Sequence, residues 1–333
     1  MHRIAVIGLG PIGAIHASIL NSLPDCKVVC LADSEPRLSK VLRKIAPNYG
    51  VYTDLQEMVA CETFEVAYVC TPIMAHEPVI RELVESRSLK AVFVEKPLAA
   101  DHNTGLKMAA EVEANNLDSV VGFQKRHIPS FGSARKLLQS GLLGQPTEFE
   151  AHHFTAGVLE GGAGWRFESA TGGVILDWGA HLVDLLSWFF GSPSRISTTR
   201  QRLFSDAVED SVKSEWFYPH GLHGVLEISW SRPDFKNAEL LILVKCTGGW
   251  LRATESTLQS SLGSGSFRSC WFQEEEGKIT AQTVPFLLGQ PENTMQDGYF
   301  MKCLTEGVKP GPSIMDSLPA QAILDQMRQV PLE

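Results

Sequence analysis

The chain has 333 residues, 44% apolar and 20% charged, with 38 acidic side chains against 29 basic ones. That is ordinary globular composition, long enough for two domains with full cores. The formal net charge of −9, with no basic cluster to offset it, argues against nucleic-acid partners and an anionic membrane surface. The apolar runs are too short to span a bilayer, and the start of the chain lacks the pattern of a secretory signal, so the reading is a cytoplasmic protein. Seven cysteines include no CxxC pair, and there is no HExxH, so no metal site is expected. The adjacent His152 and His153 fall on a predicted strand, where neighbours point to opposite faces, and make no ligand pair.

In chain order, short apolar runs predict strands at 3–8, 27–33, 66–71, 91–95 and 119–123. Amphipathic stretches between them predict helices that include 12–22, 36–45, 76–86 and 102–115, the last capped by Asp101. Near-continuous Val/Ile/Ala/Cys runs suit strands buried on both faces, and strand–helix–strand spacing predicts a parallel sheet with right-handed crossovers. The pattern changes near residue 122. A helix at 128–139, a strand at 147–155, a glycine-rich loop at 157–164 and a long apolar helix at 173–190 follow. From about 194 to 285 the sequence alternates with period two, with hairpins expected over 209–231 and 239–253. Helices at 293–306 and 314–329 close the chain. The expected fold is an α/β Rossmann domain, 1–122, followed by an α+β domain, 123–333, built on a large, mostly antiparallel, open-faced sheet. Alternation rich in apolar residues predicts self-association through that sheet, as a homodimer or homotetramer.

The stretch "RIAVIGLGPIGAIHASIL" (3–20) places three glycines between a strand and a helix. Gly8 permits a tight turn, Gly10 lets backbone approach a pyrophosphate, and Gly13 lets the helix pack close to the strand. With Pro11 and Ile12 they form the turn at a helix N-terminus whose free N–H groups favour phosphate. Asp33 ends the second strand, twenty residues after Gly13. A carboxylate there accepts the hydroxyls of an adenosine ribose and repels a 2′-phosphate, as does Glu35. The cofactor expected is NAD. Arg37 argues the other way, since it can reach toward a 2′-phosphate, and keeps NADP open.

Four further stretches appear in order: "VCTPIMAHEPVI" (69–80), "VFVEKPLA" (92–99), "VGFQKRHIP" (121–129) and "GGVILDWGAHLVDLLSWFFG" (172–191). With the glycine turn, they make the chain resemble the Gfo/Idh/MocA oxidoreductases over its whole length. The resemblance implies an NAD(P)-dependent enzyme that moves a hydride between nicotinamide and a secondary hydroxyl or ketone. The implied substrate is a small polyhydroxylated molecule: a sugar, aminosugar, sugar acid or cyclitol. It implies that Thr71, Pro72 and His76 lie along the nicotinamide half of the cofactor, and that Glu95 neighbours the cofactor. Lys96 of the EKP triplet touches cofactor and substrate hydroxyl, and Gln124 lies near the cofactor. On the substrate side it implies Arg126, the Trp165–Arg166 pair, Asp177 and His181.

The chemistry fits these residue types. Oxidising an alcohol removes a hydride from carbon and a proton from oxygen. An ammonium such as Lys96 stabilises the alkoxide, and an imidazole such as His181 accepts a proton near neutral pH. Asp177, four residues before His181, shares its helix face and can orient the ring. Lys96, Asp177 and His181 are therefore the catalytic candidates. Other readings compete. Asp184 can make a capping or interdomain contact, Arg126 and His127 can pair with carboxylates, and His16 can pack or face solvent. His76 suits a helix start better than a catalyst. Some relatives use NAD transiently to cleave a glycosidic bond, and a non-catalytic NAD(P) sensor is a third possibility that Lys96, Asp177 and His181 argue against.

Overall fold

The computed structural model describes residues 1–86, 88–157, 165–168, 171–262, 265–270 and 291–333. Contacts divide the chain into two compact units, Met1–Gln124 with Lys278–Leu318, and Lys125–Gly277 with Pro319–Glu333. The first segment thus ends close to the boundary expected near 122, but the first unit is completed by residues more than 150 positions further on.

In the first unit, β1 (His2–Ile7), β2 (Cys26–Ala32), β3 (Gly50–Tyr52), β4 (Val66–Val69), β5 (Ala91–Val94) and β6 (Asp118–Val121) form one sheet. Its order is β3-β2-β1-β4-β5-β6, parallel throughout. The helices are α1 (Pro11–Ser22), α2 (Pro36–Ile45), α3 (Leu55–Cys61), α4 (His76–Leu83) and α5 (His102–Ala114). Asp101 caps α5 by accepting the Thr104 N–H at 2.8 Å. Three-residue β3 and seven-residue α3 escape the sequence reading, because neither is long enough to show a period. The strand order reverses between β1 and β4, and in such sheets ligands bind outside the carboxyl ends of the strands at that point.

The core explains why these strands read as continuous apolar runs. Ile4, Val6, Val28, Val66, Tyr68, Phe93 and Val120 are buried together, with Leu20 of α1 and with Phe300 and Met301 of the helix Pro291–Glu306. Tyr68 and Phe93 stack with ring centroids 4.5 Å apart, and Phe300 packs 6.0 and 6.3 Å from them. That helix is part of this unit's core.

The second unit holds α6 (Pro129–Gln139), β7 (Pro146–Phe154), a π-helical turn (Ile175–Gly179) and α7 (Ala180–Phe190). They are followed by β8 (Arg195–Gln201), β9 (Ser211–Phe217), β10 (His223–Ser229), β11 (Glu239–Cys246), β12 (Gly249–Thr254), β13 (Thr257–Leu262) and β14 (Gly265–Cys270). The helix Pro291–Glu306 is then α8, and α9 is Ile314–Arg328. The sheet runs β14-β13-β12-β11-β7-β10-β9-β8, antiparallel except where β7 and β10 pair in parallel. Both expected hairpins are present, β9–β10 and β11–β12. The glycine-rich loop expected at 157–164 lies outside the described residues, apart from Gly157. One apolar helix was expected over 173–190. The structure has a π turn before α7, which ends at Gly191 with φ of 77°.

One face of this sheet is apolar and buried, with Phe149, Trp216, Leu226, Ile242, Val244 and Leu251. The other face is mixed, with Val225, Leu241, Leu243 and Trp250 among polar side chains. It carries Glu148, Lys213, Glu227 and Lys245, with Lys245 2.9 Å from Glu148 and Lys213 3.9 Å from Glu227. Among the described residues, no helix is long and apolar enough to cross a membrane.

The packing of α8 against the parallel sheet is testable. Phe300→Ala is expected to cost about 3–5 kcal/mol of unfolding free energy, the usual range for truncating a buried phenylalanine. Urea denaturation measures it, and a loss under about 1 kcal/mol would show that α8 does not complete the first core.

Candidate functional site

The glycine turn is built by contacts that leave no room for side chains. Gly8 has φ of 87°, and a Cβ there would lie 2.6 Å from the Cys70 carbonyl carbon. A Cβ on Gly13 would land on the Gly8 carbonyl oxygen. Gly10 differs, because its Cβ would meet nothing within 4 Å. It is the exposed N-cap of α1, and no side chain caps the helix, so the first-turn N–H groups of a twelve-residue helix face that space together with Pro11 and Ile12. Asp33 completes the turn by accepting the Leu9 N–H at 2.7 Å and the Glu35 N–H at 2.9 Å. Glu35 itself caps α2 through the Arg37 N–H, and Arg37 is exposed.

The carboxyl ends of β4, β5 and β6 supply the other groups of the first unit. After β4, the Thr71 hydroxyl is buried with no hydrogen-bond partner; after β6, the Gln124 carboxamide oxygen is likewise buried and unpartnered. Two orphaned polar atoms at one edge of a sheet mark a place where a polar ligand fits. Pro72 is exposed beside Thr71. His76 is turned inward, 1% exposed, with Nδ1 3.0 Å from the Leu98 oxygen and Nε2 2.9 Å from the Thr71 oxygen. Burial lowers its pKa, and the backbone carbonyls that face its ring nitrogens oppose the shift. Its ring joins the loops after β4 and β5.

Glu95 and Lys96 follow β5. Glu95 is 7% exposed, and its Oε2 accepts the Lys96 backbone N–H at 3.1 Å. Its Oε1 lies 3.0 Å from Nε2 of His16, whose Nδ1 lies 2.8 Å from Oδ2 of Asp297 in α8. The sequence reading had His16 packing or facing solvent. It is instead completely buried among charges. Burial alone would favour the neutral ring, but Asp297 and Glu95 overturn that and raise its pKa to about 10. Gln296, next to Asp297, accepts the Phe123 and Gln124 N–H groups at 3.1 and 3.3 Å.

In the second unit, Glu209 holds the start of the element that bears Asp177 and His181. The carboxylate of Glu209, 3% exposed, is fixed by Arg200 at 2.7 Å, and the Glu209 carbonyl accepts the Val174 N–H at 3.0 Å. A Cβ on Gly173 (φ 98°) would strike that carboxylate. These contacts set the start of the π turn that carries Asp177, and single π turns of this kind occur often at functional sites. Asp177 is 1% exposed, and its Oδ2 lies 3.0 Å from Nε of the exposed Arg166. The side chain of Trp165 lies outside the described residues.

His181 is buried one turn on in α7, and His153 of β7 lies beside it, ring centroids 6.3 Å apart. His153 Nδ1 donates to the Trp178 carbonyl at 3.1 Å. The sequence reading dismissed the His152–His153 pair. The opposite-face argument holds, since His152 contacts Glu239 at 2.7 Å while His153 is buried with Phe149 and Ala151. That inward parity was the signal that could have placed His153 near the helix. Arg126 was assigned to substrate. Its Nε and Nη2 bind Asp184 at 2.8 and 2.6 Å, and the guanidinium lies 5.3 Å from the centre of the Trp188 ring. The pair uses two of the three guanidinium nitrogens, in line with the alternative that Arg126 pairs with a carboxylate. Burial pushes the Asp184 pKa up, and Arg126 opposes the shift.

Comparison with known proteins gives two adjoining family matches. Residues 2–123 match the oxidoreductase family model with an NAD-binding Rossmann fold, and residues 131–252 match the GFO/IDH/MocA C-terminal domain. A scyllo-inositol 2-dehydrogenase (NAD(+)) of Bacillus subtilis is 27% identical over 57% of this chain and 54% of its own. A trans-1,2-dihydrobenzene-1,2-diol dehydrogenase of Mus musculus is 26% identical over 69% and 68%. The curated relatives are thus matched over about half to two thirds of their length. A levoglucosan dehydrogenase solved with NADH and levoglucosan shares the fold, with a TM-score of 0.84 at 19% identity, over 98% of this chain and 96% of that one.

The Arg126–Asp184 pair makes a quantitative prediction. Arg126→Met strands a buried carboxylate and is expected to destabilise the protein by about 3–5 kcal/mol. The double variant Arg126→Met/Asp184→Leu recovers most of that loss in chemical denaturation. A double variant no more stable than the single one would show that the pair is not the contact that matters.

Proposed function

Because this chain belongs to the GFO/IDH/MocA oxidoreductase family, we propose that it is an NAD-linked dehydrogenase acting on one secondary hydroxyl of a sugar, cyclitol or similar polyol. The observation that carries the cofactor reading is the carboxyl edge of the parallel sheet. Gly10 opens onto unfilled space at an uncapped helix N-terminus, Asp33 follows β2, and the Thr71 and Gln124 oxygens lack partners on the same edge. These residues fit a dinucleotide. The N-terminal amides of α1 favour its pyrophosphate, and the Asp33 carboxylate suits ribose hydroxyls and repels a 2′-phosphate. Bound NAD supplies the hydride acceptor.

The chain's own groups do the rest. The Lys96 ammonium donates a hydrogen bond to the hydroxyl oxygen and stabilises it as its proton leaves. His181 takes that proton. Asp177, itself paired with Arg166, orients the imidazole or holds a neighbouring substrate hydroxyl. Curated relatives named for scyllo-inositol and inositol, and a fold neighbour crystallised with levoglucosan, support a polyhydroxylated ring as the substrate class.

A panel of cyclitols, aldoses and anhydrosugars with NAD, read by the ultraviolet absorbance of reduced nicotinamide, is expected to reveal at least one substrate. With that substrate, Lys96→Ala and His181→Ala are each expected to lower kcat by about 10²–10⁴-fold while calorimetric NAD binding persists. Turnover within about tenfold of wild type in both variants would refute the assignment.

A further inference from the structure

His16 lies one turn into the dinucleotide helix, six residues after Gly10, and is completely buried. Its two ring nitrogens face two carboxylates, Glu95 at 3.0 Å and Asp297 at 2.8 Å. A carboxylate with this geometry accepts, so both nitrogens donate and the ring is a cation. The other titratable groups around it are Tyr68 from β4, Cys70 just after β4 and Cys26 from β2, and burial pushes the pKa of each upward and keeps it protonated. The charged members are therefore His16, Glu95 and Asp297.

Glu95 passes this constraint to the next residue. Its second oxygen holds the Lys96 N–H, and the space it occupies exists because residue 122 is glycine, where a Cβ would lie 2.7 Å from Oε1. Asp297 is anchored in turn by α8, whose Gln296 holds the chain as it leaves β6. One buried ring thus links the glycine-turn helix, the Glu95–Lys96 segment and a helix from far along the sequence.

We propose that His16 and Asp297 are positioning residues for the dehydrogenase reaction, fixing through Glu95 the backbone from which Lys96 extends. The inference rests on the reading that Lys96 serves the substrate hydroxyl. Without the ring's charge, two buried carboxylates are left together, and one takes up a proton. A protonated Glu95 loses its charge-assisted hold on the Lys96 segment.

The test compares His16→Gln, Asp297→Asn and the double variant under saturating NAD and substrate. His16→Gln is expected to lower kcat by about ten- to hundredfold, the scale of a misplaced catalytic group, with KM for NAD nearly unchanged. Its kcat–pH profile gains an ionisation that the wild type lacks. Asp297→Asn keeps an acceptor for Nδ1 and costs less. The double variant leaves one carboxylate and regains activity relative to His16→Gln. An unchanged kcat and pH profile in His16→Gln, or a double variant no better than it, overturns the proposal. Should His16→Gln fail to fold, histidine-labelled wild-type protein decides by nitrogen NMR. A buried ring keeping both N–H protons to about pH 9 supports the proposal, and its absence overturns it. Lys96→Ala with wild-type turnover would instead overturn the role given to Lys96, on which this inference rests, whereas an inactive Lys96→Ala beside an unaffected His16→Gln overturns the positioning role alone.

Discussion

A cation with no solvent around it sets the layout of the first unit. His16 is stable as an imidazolium only while Glu95 and Asp297 flank it, since an unpaired buried charge is far too costly. That requirement ties α1 to β5 and both to α8. The aromatic packing of Tyr68, Phe93 and Phe300 surrounds the same ring, with His16 4.9 Å from Phe93 and 5.4 Å from Tyr68. Apolar burial drives α8 onto the sheet, and the ion triad fixes its register there. The edge that carries Gly10, Asp33, Thr71 and Lys96 inherits its geometry from this arrangement.

The second unit solves a similar problem with different groups. Its substrate-side helix begins in a π turn placed by Glu209, which Arg200 holds, and by two glycines that leave space for backbone and carboxylate. Further along α7, Asp184 is neutralised by Arg126, so a second buried charge is spent on rigidity. Asp177 and His181 therefore sit on an element whose position is set at both ends. The catalytic roles proposed for them need such support, because geometry loosened by an ångström forfeits much of the rate.

What the sequence revealed follows from how local each signal is. The glycine turn, Asp33 and the alternating strands are short-range patterns, and they led to the Rossmann unit and to the mostly antiparallel sheet. His16 could not be read in the same way, because its partners lie 79 and 281 residues away and nothing in its neighbours announces them. Arg126 was legible as a charge near the end of a strand, but its pairing with Asp184 is a tertiary fact 58 residues removed. His153 was dismissed with its neighbour, although strand parity sends one of the two inward. The domain boundary was drawn as a single cut because a helix that returns to an earlier core leaves no compositional trace.

The substrate-side groups matter only if the first unit holds a dinucleotide, so cofactor recognition is the most direct test of the account. Isothermal titration of the unmodified protein with NAD and with NADP measures it. The account predicts saturable one-to-one binding of NAD, tighter than that of NADP because Asp33 meets the ribose, with the preference lost in Asp33→Ala. Absence of saturable NAD binding, or tighter binding of NADP, would contradict it.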